Sequence, residues 1–168
     1  MKSRPTLQGC VVWCAVVTMM GVPACGDDFV MSLQVVQGNR TVATKLTRQQ
    51  PAKNRKPRLV FQAEAGTRLQ VKWKALNKSK SATYKNVLVH FFVVPEKKVG
   101  QPKVPPLGKD DVEHEGAVTL DFKPGNKAEG EFTGTIPKAG NYLVRVETIG
   151  LAGREGHEYY AAVDVVLK

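Results

Sequence analysis

The stretch that most restricts the fold is Ile136-Pro137-Lys138-Ala139-Gly140-Asn141-Tyr142-Leu143-Val144-Arg145-Val146-Glu147. A turn rich in Pro and Gly feeds a segment in which Tyr142, Val144 and Val146 alternate with Leu143, Arg145 and Glu147. Successive side chains of a strand point to opposite faces, so a period of two predicts a strand with one face in a core. The pattern recurs along the chain, and no long stretch carries helical periodicity. Residues 29–36 and 41–47 flank Gly38-Asn39, a hairpin turn by composition. Residues 59–64 and 67–75 flank Ala65-Gly66, with Leu69, Val71 and Trp73 on one face and Arg68, Gln70, Lys72 and Lys74 on the other. Residues 117–122 and 127–136 read as the clearest hairpin, because Lys123-Pro124-Gly125-Asn126 puts Pro and Gly where a type II turn requires them. The last strand sets Tyr159, Ala161, Val163, Val165 and Leu167 on one face. Eight or nine short strands with turn signals between them predict an all-β, antiparallel Greek-key sandwich.

Residues 84–94 depart from one-sided alternation. Val87, Val89, Phe91 and Val93 take one face, while Leu88, Phe92 and Val94 take the other with His90 among them. A strand apolar on both faces is either central and covered or presents a sticky surface. The long segment 97–116, with Pro102, Pro105 and Pro106, is the economical cover, and His90 is expected to be buried beneath it. Tyr142, Trp73, Phe91 and Phe132 lie on inward phases and are expected to be largely buried.

Past the Gly140 corner, Tyr142-x-Val144-x-Val146 resembles the strand of the immunoglobulin-like and fibronectin-type-III superfamily. The resemblance covers roughly the last hundred residues. It implies a tyrosine corner, in which the hydroxyl of Tyr142 bonds back to the backbone of the turn. A transthyretin-like sandwich has the same composition and stays open as the alternative.

The first 25 residues read as a targeting segment. Lys2 and Arg4 form a positive n-region, and residues 10–20 an apolar run too short to span a bilayer comfortably. Val22-x-Ala24 fits ordinary signal-peptide cleavage. Val22-Pro23-Ala24-Cys25 resembles the bacterial lipobox, which implies lipidation of the Cys25 thiol. Soluble secretion and a retained anchor are the competing outcomes. The chain then divides into a signal at 1–25, N-terminal strands with a basic linker at 26–58, and a sandwich domain at 59–168. All three cysteines, Cys10, Cys14 and Cys25, lie in the signal region, so the folded part has neither a disulfide nor a thiolate metal site. A chain of 168 residues is long enough to stand on its core alone.

Few groups capable of chemistry remain. There is no Gly-rich phosphate loop, no G-x-S-x-G elbow and no H-E-x-x-H. No nucleophile–base pair can be named, so no catalysis is expected and no cofactor is called for. The imidazoles are His90, His114 and His157. His114 stands in Asp110-Asp111-Val112-Glu113-His114-Glu115 and His157 adjoins Glu158, so a copper or zinc site would draw on His114 and His157 with nearby carboxylates. The competing reading makes both loop residues on the surface and the acids a solvated counterweight to the basic surface.

The net charge is +10, and Arg40, Lys45, Arg48, Lys53, Arg55, Lys56 and Arg58 occur with no acid between Asp28 and Glu64. Nucleic acid would call for interleaved aromatics, and Phe61 is the nearest. An exported anionic polymer, an envelope protein or lipid headgroups are the better partners for Arg48, Lys53, Arg55, Lys56 and Arg58. The sequence therefore predicts an exported sandwich, membrane-anchored through a lipid on Cys25, with a binding or structural role. A periplasmic metal-binding module is the alternative.

Overall fold

Nine strands follow one another with no helix among the residues described in a computed structural model, which are 29–46, 56–103, 112–149 and 157–168, with backbone alone at 45, 46, 157 and 158. They are β1 (Phe29–Gln37), β2 (Arg40–Leu46), β3 (Leu59–Ala63), β4 (Arg68–Asn77), β5 (Tyr84–Pro95), β6 (His114–Phe122), β7 (Lys127–Thr135), β8 (Gly140–Ile149) and β9 (His157–Leu167). A four-stranded sheet in the order β2-β1-β4-β7 packs on a five-stranded sheet in the order β3-β9-β8-β5-β6. The β3–β9 pair is parallel and the other pairs are antiparallel. The architecture is an all-β sandwich, as the alternation predicts.

The core follows the inward phases. Phe29, Met31, Leu33 and Val35 of β1 meet Val87, Val89, Phe91 and Val93 of β5 and Val144 and Val146 of β8, all buried. Phe29 meets the rings of Tyr84 and Phe122 edge-on at 5.1 and 5.2 Å. Each such side chain contributes about 1.5–3 kcal/mol when fully buried, which explains how the fold stands without a disulfide.

Three expectations are corrected. First, β1 and β2 do not precede the sandwich domain but form half of its four-stranded sheet, β1 pairing along β4 from Phe29↔Asn77 to Val36↔Gln70. Their apolar phase could be buried only against the second sheet. Second, β6 and β7 are not a hairpin. The turn between them has the expected chemistry, with Gly125 at φ +75° and the Asn126 N–H donating to the Lys123 carbonyl at 3.0 Å. It nevertheless carries the chain from one sheet to the other, because β6 pairs with β5 and β7 with β4. Turn type sets a reversal of direction, and the pairing partners set which layer each arm joins. Third, Trp73 and Phe132 are only half-buried. Both line a cleft of about 240 Å³ at the edge where β6 and β7 leave the two sheets open. The indole lies across Gly130, its neighbour on β7, where a Cβ would collide with the ring.

Tyr142 and Phe91 are buried as expected. The Tyr142 hydroxyl donates to the Lys138 carbonyl at 2.9 Å, which is the contact a tyrosine corner requires. Burial pushes the phenol pKa up, and the nearby Glu113 carboxylate adds to the shift. β8 is buried on both faces from Tyr142 to Thr148, since it lies inside the five-stranded sheet and its second face is covered. There Phe92, Val94, Leu143 and Ala162 form a second apolar cluster against Val112 and Tyr160. Val112 comes from the segment expected to cover this face, and residues 104–111 lie outside the described ones.

Candidate functional site

The residues singled out by sequence fall in different places. Cys25, Arg48, Lys53 and Arg55 lie outside the described residues. Lys56 is exposed. Arg58 is not part of an exposed cationic surface. Its side chain is buried, with Nε 2.8 Å from Asp164 Oδ1 and Nη2 2.8 Å from Glu96 Oε2. It also donates to the carbonyls of Lys98 and Lys103. Asp164 explains the placement. An aspartate inside the apolar run Ala161-Ala162-Val163-Asp164-Val165-Val166-Leu167 faces a desolvation penalty that a paired, hydrogen-bonded cation offsets. A single acid inside such a strand was the signal that could have located this pair from sequence.

His114 and His157 are not brought together. His114 opens β6 opposite Val93, in register with Val144 and Val163 across the sheet. His157 opens β9 opposite Ile149, in register with Leu88 and Thr119. Three strand spacings and about six residue steps separate the two backbones, on the order of 20 Å. Two ligands of one ion would have to lie within about 4 Å, so the paired-histidine site is withdrawn. The His114 ring is packed on Phe132 at 4.8 Å, with Nε2 3.3 Å from the Thr135 carbonyl oxygen. Among the described residues no three His, Cys, Asp or Glu side chains are grouped as metal ligands.

His90 faces the second side of the five-stranded sheet, largely buried. Its Nε2 lies 2.7 Å from Glu115 Oε1 and its Nδ1 3.7 Å from Glu147 Oε1. Glu147 is fully buried and ion-paired with Arg145, whose guanidinium lies 5.6 Å from the Phe92 ring centre and 4.9 Å from that of Tyr160. Burial lowers the Arg145 pKa, and Glu147 and then Tyr160 oppose the change. This network ties β5, β6, β8 and β9 together.

The end of the sandwich where β1 begins is built differently. Lys78, Lys80, Lys85 and Lys123 are exposed there, on the β4–β5 loop, the start of β5 and the β6–β7 arch. Asn77, fully buried, organises that end. Its Nδ2 donates to the carbonyls of Ala82 (2.9 Å), Lys123 (3.1 Å) and Phe122 (3.3 Å), and its Oδ1 accepts from the Ser79 N–H at 3.0 Å. Its backbone bonds Gly125 and Asn126 of the arch. Ser79 Oγ accepts from the N–H groups of Ser81 and Ala82. Both lysine-bearing turns are therefore held in fixed shape by one asparagine. An asparagine after an alternating run is an ordinary turn signal, so no local pattern marks Asn77 as the organiser of this end.

Comparison with known proteins gives only distant structural likeness. No protein-family model matches the sequence, and no curated protein matches it. Among solved structures the chain is similar to the soluble domain of PmoD from Methylocystis sp., at 12% identity and TM-score 0.45 over 80% of this chain and 90% of that one. It is similar to a family 123 glycoside hydrolase from Clostridium perfringens at 15% identity and TM-score 0.41, over 67% of this chain and 23% of the hydrolase. It is also similar to the sporulation control protein Spo0M from Bacillus subtilis at 10% identity and TM-score 0.38, over 83% and 49% of the two chains.

Proposed function

We propose that this chain is an exported, lipid-anchored, non-catalytic β-sandwich of immunoglobulin-like type that binds or supports other components at the cell envelope. The observation that carries the reading is the position of Cys25 relative to the fold. The lipobox-like Val22-Pro23-Ala24-Cys25 ends four positions before Phe29, which opens β1 and is completely buried. The folded domain thus begins almost directly at the modified cysteine, the arrangement of a domain tethered close to a bilayer. The hydroxyl bond from Tyr142 to the Lys138 carbonyl supports the immunoglobulin-like part of the reading.

Growth with a fatty-acid probe tests the anchor. The full chain should take up the label and fractionate with membranes, and Cys25→Ala should lose both. Unchanged labelling and fractionation in the variant would refute it.

A further inference from the structure

We propose that the β1-entry end of the sandwich is a docking surface for anionic phospholipid headgroups, with Lys78, Lys80, Lys85 and Lys123 as its contacts. The inference rests on lipidation of Cys25 and adds to it a second, electrostatic point of attachment. From Cys25 to Phe29 the chain can extend at most about 14 Å, since each residue spans no more than about 3.6 Å. A lipid on Cys25 therefore keeps this end within reach of the headgroup layer, where exposed charges are screened over about 8 Å at physiological salt.

The chemistry of that end fits the partner. The four ammonium groups are exposed, and they outnumber Asp121 and the acids Asp27 and Asp28 that precede β1 in the sequence. Asp121 accepts the Asn86 N–H at 2.9 Å, and Glu129 pairs with Lys74 and Lys127 at 2.8 and 3.0 Å. Because Asn77 and Ser79 hold the turns that carry Lys78, Lys80 and Lys123, binding requires little ordering of backbone. The opposite end is also basic, with exposed Arg40, Lys97, Lys98, Lys103 and Lys138 beside exposed Glu64 and Glu113, so distance from the anchor separates the two ends. It stands away by the length of the ten-residue β4, about 30 Å, well outside the screening distance.

The experiment uses the full chain purified with its acyl group and reconstituted in vesicles of phosphatidylcholine, with or without phosphatidylglycerol. Lysine acylation is read residue by residue by mass spectrometry. In the anionic vesicles Lys78, Lys80, Lys85 and Lys123 should react about fivefold more slowly than in the neutral ones, the factor expected for one lysine at an anionic surface. High salt should remove the difference, and Lys97, Lys98 and Lys138 should react alike in both. Equal reactivity at the two ends, or protection independent of lipid charge, would overturn the proposal. If the chain carries no acyl group, the anchoring reading fails on its own. Flotation of the exported chain with the same vesicles then decides the surface. Binding to phosphatidylglycerol vesicles that Lys78→Glu/Lys80→Glu/Lys123→Glu abolishes supports it, and absence of binding overturns it.

Discussion

Replacing Asn77 by alanine tests the reasoning about the lysine-bearing end most directly. The side chain is fully buried and makes four hydrogen bonds, three donated to carbonyls and one accepted from the Ser79 N–H. Truncation leaves those backbone groups short of a partner, and a buried group left unsatisfied costs about 1–3 kcal/mol. Water can reach the Ala82 and Ser79 sides, which belong to a loop with exposed neighbours, so the heavier loss falls at Phe122 and Lys123. The net expectation is about 3–4 kcal/mol, a fall of roughly 10 °C in Tm for a domain of this size. Trp73 is the single tryptophan beyond the signal region, so its fluorescence during urea unfolding reports the change. Asn77→Asp should be at least as damaging at neutral pH, because a carboxylate keeps the acceptor for Ser79 but turns charge toward three carbonyls. Ser79→Ala, which loses local bonds on a partly exposed loop, should cost no more than about 1 kcal/mol. An Asn77→Ala stability within 1 kcal/mol of the parent would refute the reading of Asn77 as the organiser of this end.

Arg58→Met should cost about 3–5 kcal/mol in urea unfolding by leaving Asp164 buried without its cation, and Arg58→Met/Asp164→Leu should recover most of it. Failure of the double variant to recover would show that Arg58 acts through its backbone-carbonyl contacts instead. Tyr142→Phe should cost about 1 kcal/mol through the lost bond to the Lys138 carbonyl, and no change in Tm would deny the corner any energetic role. Glu129 titrates below the ordinary glutamate value, chiefly through its hydrogen bond from Lys74 and then that from Lys127. Its contribution to stability is complete above the unfolded-state value and is lost as pH falls through the lower folded one. An NMR titration should show Lys74→Met moving Glu129 back up, and an unmoved value would contradict the pairing.

Period-two alternation was legible because it depends on local geometry alone. Tyr142, Val144 and Val146, or Phe29, Met31, Leu33 and Val35, lie on one face of their strands whatever the rest of the chain does. The all-β class and most of the strands follow from that rule, though β6 begins at His114, inside the segment read as a cover, and turn composition marks Gly38-Asn39 and Pro124-Gly125. Pairing is a property of the whole chain, and only the tertiary structure decided it. The Lys123–Asn126 turn could have closed a hairpin, yet it bridges two sheets, with β6 paired to β5 and β7 to β4. The same holds for charge. A sequence counts Arg58 among exposed cations and Glu147 among outward acids, since both occur in polar phases or polar company. Burial of Arg58 follows from Asp164, which lies 106 residues away in sequence and is covered by the same layer. Burial of Glu147 follows from its central strand and from Arg145 beside it, between the rings of Phe92 and Tyr160. Desolvation and its compensation are set by what lies across the sheet, and no local pattern encodes the distance between His114 and His157.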